Sequence, residues 1–452
     1  MTFKTDFRGM DRRRFLEMTG SAFLGLLASG CTVQSGIGTT APADFSGYGP
    51  LKSDPDGILD LPEGFQYRVL SRLGDTMSDG GTVPNKADGM GCFQLNQQEI
   101  VLIRNHELVP GDPAGGIISQ GFDAQNGTVV PGGTTHIVLD AETLSVNKQF
   151  RSLGGTIRNC SGGVTPWNSW LTCEESVTGP GQRFGDGLSK NHGWVFDIPA
   201  AAAGLSEPQP LTALGRFNHE AACVDPESGF VYLTEDRNDS VLYRFLPNEI
   251  GNLQAGGRLQ AMVIEGISDT RNWENSNMIV GQPFKVSWTN LTDVESPNDD
   301  LRHRAAASGA SLIARGEGIH MGVDELFFCS TSGGTQKLGQ IFKFIPGRNA
   351  SEDRIELFFE SESVDQFNYG DNLVVAPNGH LIVCEDQYTE VVDNHLRVIS
   401  PEGNAFKLGR LRLQTEPAGA CFSPDGKWMF VNAYAPTMTL AISGPWASAS
   451  SA

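Results

Sequence analysis

Pro377-Asn378-Gly379-His380-Leu381-Ile382-Val383-Cys384-Glu385-Asp386 contains the plan of the whole chain: a turn, a short apolar β-run and an acidic ending. The same order recurs from Pro166 to Trp170-Leu171-Thr172-Cys173-Glu174-Glu175, and from Pro226 to Val231-Tyr232-Leu233-Thr234-Glu235-Asp236. A fourth acidic ending closes Gln97 to Ile100-Val101-Leu102-Ile103-Arg104-Asn105-His106-Glu107, and two copies end on other polar residues: Glu325 to Leu326-Phe327-Phe328-Cys329-Ser330, and Pro424 to Trp428-Met429-Phe430-Val431-Asn432. Such recurrence is the signature of radial β repetition, where each copy is a small sheet that cannot bury its faces alone. The copies lie farther apart than the ~40–45 residues of a minimal blade, so loops or strands are inserted. We expect an all-β, six-bladed propeller, with five or seven blades as alternatives. The largest excess falls between Asp236 and Leu312. It carries the polar run Ser296-Pro297-Asn298-Asp299-Asp300-Leu301-Arg302-His303-Arg304, expected as an excursion over one face. No long stretch shows helical periodicity, so helices should be few and short.

Stacking the copies around an axis brings strand ends together, and gathered carboxylates repel unless a cation sits among them. A polyvalent metal site is therefore the leading expectation, against the alternative of a polar, water-filled channel. Glu220 and Asp371 each lie six residues before a turn proline, as does Cys160, and Glu416 lies eight before one. Even offsets place these residues on one side of the innermost strand if no bulge intervenes. Glu220, Glu317, Asp371 and Glu416 are then candidates to line the channel.

The first residues have a different character. Asp11-Arg12-Arg13-Arg14-Phe15-Leu16, followed by Ala22-Phe23-Leu24-Gly25-Leu26-Leu27, matches a twin-arginine export signal. The small-residue stretch Ala28-Ser29-Gly30 before Cys31 has the layout of a lipoprotein cleavage site. The apolar run is far shorter than the ~20 residues that span a bilayer. Residues 1–31 are thus expected as signal, 32–48 as a flexible tether, 49–440 as one propeller domain and 441–452 as a polar tail. The expected location is periplasmic or extracellular, with attachment to a membrane through Cys31 left open. The twin-arginine machinery is the expected export partner, and the chain is expected to be monomeric.

With 53 acidic and 33 basic residues the formal net charge is −20, which argues against a nucleic-acid partner. Solubility accounts for much of the excess, and a cation-loaded protein would show the same imbalance. The 54 glycines and 24 prolines suit many strands and turns. Eight cysteines in an exported chain usually signal disulfides. Here Cys173, Cys329 and Cys384 occupy matching places in their copies, so most cysteines are better taken as small apolar fillers of repeated slots.

Asn159-Cys160-Ser161-Gly162-Gly163-Val164-Thr165-Pro166-Trp167-Asn168-Ser169-Trp170-Leu171-Thr172-Cys173-Glu174-Glu175 resembles the signature segment of PhoX-type alkaline phosphatases. So do Gly215-Arg216-Phe217-Asn218-His219-Glu220-Ala221, Ala314-Arg315-Gly316-Glu317-Gly318, Arg104-Asn105-His106-Glu107 and Glu416-Pro417-Ala418-Gly419-Ala420-Cys421-Phe422. The resemblance implies a propeller with an iron–calcium cluster at its centre that hydrolyses small phosphomonoesters. It implies Cys173 as the iron ligand, Glu220 and Glu317 as metal ligands and Arg315 as the catalytic contact to phosphate. Glu107, Glu174, Glu175, Glu385 and Asp386 are second-tier metal candidates. A thiolate suits iron, whereas calcium takes oxygen ligands only. His106 and His219 either orient ligands or are plain buried hydrogen-bonding groups. The segment from Asn159 to Glu175 has no basic residue, so an activity that relies on a lysine there would be slower. Two other function classes stay open: a non-catalytic calcium-stabilised propeller that binds a ligand or partner, and a calcium-dependent lactonase or phosphotriesterase.

Overall fold

The computed structural model describes residues 47–182, 184–347, 352–387 and 389–446. The export signal, Cys31 and nearly all of the expected tether lie outside the described residues. Among the described residues no helix is long and apolar enough to cross a membrane.

The architecture is all-β and propeller-like, and the period-two patterning explains why. Each apolar run forms the second strand of an antiparallel hairpin, and its first strand lies innermost. The inner strands are Ala87–Gln94, Asn159–Val164, His219–Val224, Gly316–Met321, Gly370–Val375 and Pro417–Phe422. Each neighbours the next in that order, and the last returns to the first, so they close a ring. Their outgoing partners are Glu99–His106, Ser169–Glu174, Val231–Glu235, Leu326–Ser330, Leu381–Glu385 and Trp428–Ala433. One backbone hydrogen bond repeats in every copy. The N–H of Glu107, Glu175, Asp236, Thr331, Asp386 and Tyr434 donates to the carbonyl of Lys86, Arg158, Asn218, Arg315, Tyr369 and Glu416, respectively, at 2.8–3.3 Å.

Every inner strand also carries a register shift within its first five residues, for example between Ala87 and Met90 and between Gly370 and Leu373. The even-offset expectation assumed that no bulge intervenes. All copies share the bulge, so equivalent positions remain equivalent while the simple face count fails. Where the inner strands meet, the backbones come so close that side chains are excluded. A Cβ on Gly89 would sit 2.5 Å from Ser161 Cα, and one on Gly318 would sit 2.7 Å from Asn372 Cα.

Apolar residues pack between adjacent sheets. Phe328, Phe342 and Phe344 share one such layer with Ala221, Tyr232 and Leu242 of the preceding copy. Fully burying one large apolar side chain contributes about 1.5–3 kcal/mol, so each interface locks its neighbours. Termini close the ring: Gln66–Arg72 pairs with Met438–Ser443, and Leu59–Pro62 pairs with Ala405–Leu411. Trp446 is buried and packs edge-on against Tyr48 and Phe65. Folded structure therefore extends past residue 440 into the expected tail and begins before residue 49.

The excess between Asp236 and Leu312 has a different role from a plain excursion. Tyr243–Pro247, Gly257–Ile264 and Pro283–Asn290 extend one sheet outward until Pro283–Asn290 pairs with Arg354–Glu360 of the next. Two copies are thereby fused into a nine-stranded sheet. The polar run does leave the sheet, as loops and a short helix, Leu301–Ala307. The described cysteines are free thiols.

Candidate metal and anion centre

Three equivalent positions in the copies supply the side chains that meet at the ring axis. The second residue of each inner strand supplies Asp88, Cys160, Glu220, Glu317, Asp371 and Ala418. The residue just before the strand supplies Arg158, Arg315 and Glu416, and the residue just after the outgoing strand supplies Glu107, Glu175, Asp236 and Asp386. Glu416 is thus the counterpart of the arginines, while Ala418 stands where the other copies place an acid or thiol.

Two clusters result. Ligand atoms of Glu220, Glu317 and Asp371 lie within 4.8 Å of one another, as do those of Glu107, Cys160 and Glu175. Cys160 Sγ lies 3.1 Å from Glu220 Oε1 and 3.6 Å from Asp88 Oδ2, which links the two clusters. Burial pushes the carboxyls of Asp88, Glu175, Glu220 and Glu317 well above their usual range, and their neighbours' charges add to this. Asp371 rises to about 7 for the same reasons, burial first and Asp386 next. Burial and the adjoining Asp386 carboxylate raise Glu416 as well.

Two guanidiniums oppose this charge. Arg315 reaches Asp236 at 2.6 Å and Glu317 at 2.9 Å, and Arg158 reaches both Glu107 and Glu175 at 2.6 Å. Both arginines precede their strands in left-handed backbone, with φ of 53° and 51°, an uncommon conformation for a residue that carries a Cβ. Tyr434 Oη donates to Glu107 Oε2 at 2.5 Å, and Asn218 Nδ2 donates to Glu175 Oε1 at 2.9 Å.

Asp88 Oδ1 and Glu220 Oε2 are buried and have no hydrogen-bond partner among the described residues. An unpaired buried carboxylate oxygen is costly. Hard oxygen donors with unspent lone pairs, crowded beside like charges, are what a polyvalent cation requires.

The family model for alkaline phosphatase PhoX matches residues 46–137 and 132–437. The chain belongs to the PhoX family. PhoX of Pseudomonas fluorescens, solved in complex with vanadate, a transition state analogue, superposes with a TM-score of 0.68 at 19% identity. The alignment covers 86% of this chain and 96% of that one, so the fold is shared. A gluconolactonase of Xanthomonas campestris aligns over 83% of this chain and 95% of its own at 12% identity, with a TM-score of 0.36. No curated protein matches the chain.

Within this PhoX fold the predicted site residues separate by strand parity. Glu107, Glu175, Glu220, Glu317, Asp371, Asp386, Glu416 and Arg315 meet at the axis. Glu174 and Glu385, one residue earlier than Glu175 and Asp386, face the opposite way. Glu174 accepts from His192 at 2.6 Å and from the backbone N–H groups of Ile157, Gly193 and Trp194. Glu385 accepts from Arg397 at 2.7 Å and from His395 and the N–H of Asn368. Both are internal struts whose oxygens are already engaged.

Cys173 requires correction. It is fully buried in an apolar layer with Leu171, Val195 and Leu233, and the cysteine that joins the carboxylates is Cys160. Along Ser169–Glu174, Cys173 alternates with Thr172 and lies opposite Val195. His106 bonds Asn85 and Thr135, and His219 bonds the Gly215 carbonyl and stacks on Phe217 with ring centroids 3.6 Å apart. Both are buried supports of the sheet.

Sequence reasoning missed Asp88, Arg158, Cys160 and Asp236 as site residues, although Cys160 shares the six-residue offset of Glu220 and Asp371. Asp236 was visible as the final acid of its copy, and Asp88 lies six residues before Gln94 just as Glu220 lies six before Pro226. Arg158 gives no such signal, because it falls one residue outside the signature segment. It nevertheless supplies the basic group that Asn159–Glu175 lacks.

Proposed function

We propose that the protein is an exported phosphomonoester hydrolase of the PhoX type, with six blades around a metal cluster that contains calcium and iron. The observation that carries this is the meeting of Glu220, Glu317 and Asp371, with Arg315 bonded to Glu317, inside a fold of the PhoX family. Glu220, Glu317, Asp371 and Asp88 offer hard oxygens suited to calcium. Cys160, between Glu107 and Glu175, offers the softer donor that suits iron. When bound, the ions supply Lewis-acid neutralisation of phosphoryl charge.

The chain's own groups do the positioning. Asp236 and Glu317 grip the Arg315 guanidinium from two sides, which fixes its plane before substrate arrives. A guanidinium so held is preorganised to hydrogen-bond the equatorial oxygens of a phosphoryl group during transfer. Glu416, raised by burial and by the adjoining Asp386 carboxylate, is a group near the axis able to hold a proton. No side-chain nucleophile is needed in this scheme.

Arg315→Ala should lower kcat/KM for p-nitrophenyl phosphate by about 10²–10³ in metal-loaded protein, the cost of losing one charge-stabilising donor. Wild-type turnover in that variant would remove Arg315 from the mechanism. Metal content showing calcium without iron would favour a binding or lactonase role instead. We further infer export by the twin-arginine route and a monomeric state. Replacing Arg12 and Arg13 by lysine should trap active protein inside the cell. Unchanged fractionation of that variant would reject the route.

A further inference from the structure

The two acidic clusters differ in how their oxygens are used. Around Glu220, Glu317 and Asp371 a lone pair remains unspent: Glu220 Oε2 has no partner among the described residues, and neither has Oδ1 of Asp88, which touches Cys160 between the two clusters. Around Glu107, Cys160 and Glu175, the carboxylate oxygens are occupied. Glu107 Oε1 takes Arg158 Nε at 2.7 Å and a second Arg158 nitrogen at 2.6 Å, while its Oε2 takes the Tyr434 hydroxyl. Glu175 Oε2 takes Arg158 at 2.6 Å and its Oε1 takes Asn218. The guanidinium therefore spans the same two carboxylates that, with Cys160, form a metal-sized group.

We propose that Arg158 is a built-in cation that keeps the Glu107–Cys160–Glu175 site closed, so that this site fills second and more weakly than the Glu220–Glu317–Asp371 site. A metal ion entering it must displace the guanidinium from at least one carboxylate, and the Cys160 thiol releases its proton to solvent as the sulfur–metal bond forms. The displaced side chain has somewhere to go. Arg158 is 40% exposed, against 19% for Arg315. Arg158 is a left-handed residue whose carbonyl is held by the Glu175 N–H, so its backbone stays anchored while the side chain moves. The guanidinium of Arg315 sits differently, on Asp236 and only one oxygen of Glu317, and leaves Glu220 and Asp371 to a cation. This inference rests on the metal-centre reading above, but not on the phosphatase activity.

The test is an anaerobic titration of the metal-free full chain with Co²⁺, followed by calorimetry and by the thiolate-to-cobalt charge-transfer band, which reports only the cysteine-bearing site. In wild type, heat from the first class of sites should saturate before the band appears. Cys160→Ser should abolish the band and leave the first class intact. Arg158→Gln should move the band's midpoint to about ten- to a hundredfold lower Co²⁺, the range expected when charge-assisted hydrogen bonds no longer compete. The midpoint of the first class should stay within about twofold. If Arg158→Gln fails to fold, Arg158→Lys, which keeps the charge but loses the fork, should give a smaller shift in the same direction. A band midpoint that is unchanged or higher in the arginine variants, or a band that leads the first heat phase in wild type, overturns the proposal. Loss of phosphatase activity with these midpoints intact would overturn the functional reading and leave this one standing.

Discussion

Stripping the loaded protein of its cations should lower its thermal midpoint by on the order of 10 °C at mildly alkaline pH, and by far less near pH 5. The magnitude follows from linkage, because each tightly held ion at about a thousandfold excess over its Kd adds ~4 kcal/mol. In a chain of this length one kcal/mol moves the midpoint by a degree or two at most. The pH dependence follows from the carboxyls. Burial, then mutual repulsion, raises Asp88, Glu175, Glu220, Glu317 and Glu416 well above the ordinary range, and Asp371 to about 7. In the unfolded chain the same groups titrate near ~4. Between those values the metal-free fold binds more protons than the unfolded chain, so its stability falls as pH rises from about 4 through 7 and beyond. A bound cation takes over the protons' role, and the loaded protein loses little over that window. Differential scanning calorimetry with and without chelator, at pH values below 5 and near 8, reads both effects. A gap that stays constant or narrows with rising pH would show that these carboxylates do not hold the cations.

Cys160→Ala and Cys173→Ala should part sharply, although the two residues lie in one signature segment. Cys160 stands 3.1 Å from Glu220 and within the Glu107–Glu175 cluster, so its loss should remove bound iron and cut phosphatase turnover by at least ~10². Cys173 is sealed in the layer formed with Leu171, Val195 and Leu233. Truncating it leaves a small apolar void, with a cost of ~1 kcal/mol and no change in metal content. Elemental analysis beside urea unfolding separates the two. Iron lost from Cys173→Ala but kept by Cys160→Ala would restore the original assignment.

Strand parity explains why the site was only half legible. Glu174-Glu175, Glu235-Asp236 and Glu385-Asp386 all present an acid pair at a strand end. The first member serves inside the sheet, as with Glu235, which bonds the Tyr243 hydroxyl at 2.7 Å and rises to about 7 by burial. The second crosses to the axis. Adjacent strand residues point to opposite faces, but nothing local says which face is the axis. The shared bulge at the start of each inner strand hides the parity further. For the same reason Glu416 was grouped with Glu220 and Asp371, whereas it occupies the place of Arg158 and Arg315.

From the residues alone came the repeated turn–strand–acid unit, and with it an all-β ring, sparse helices, unpaired thiols and an acidic centre seeking cations. Those properties are local or additive: period-two patterning, turn chemistry and net charge need no knowledge of what lies across the molecule. Which cysteine faces the carboxylates, that Arg158 plugs one cluster, and that the long insertion welds two sheets together were decided only by the tertiary structure. Each depends on side chains from different copies meeting at distances near 3 Å, and ring closure sets those distances over hundreds of residues of intervening chain.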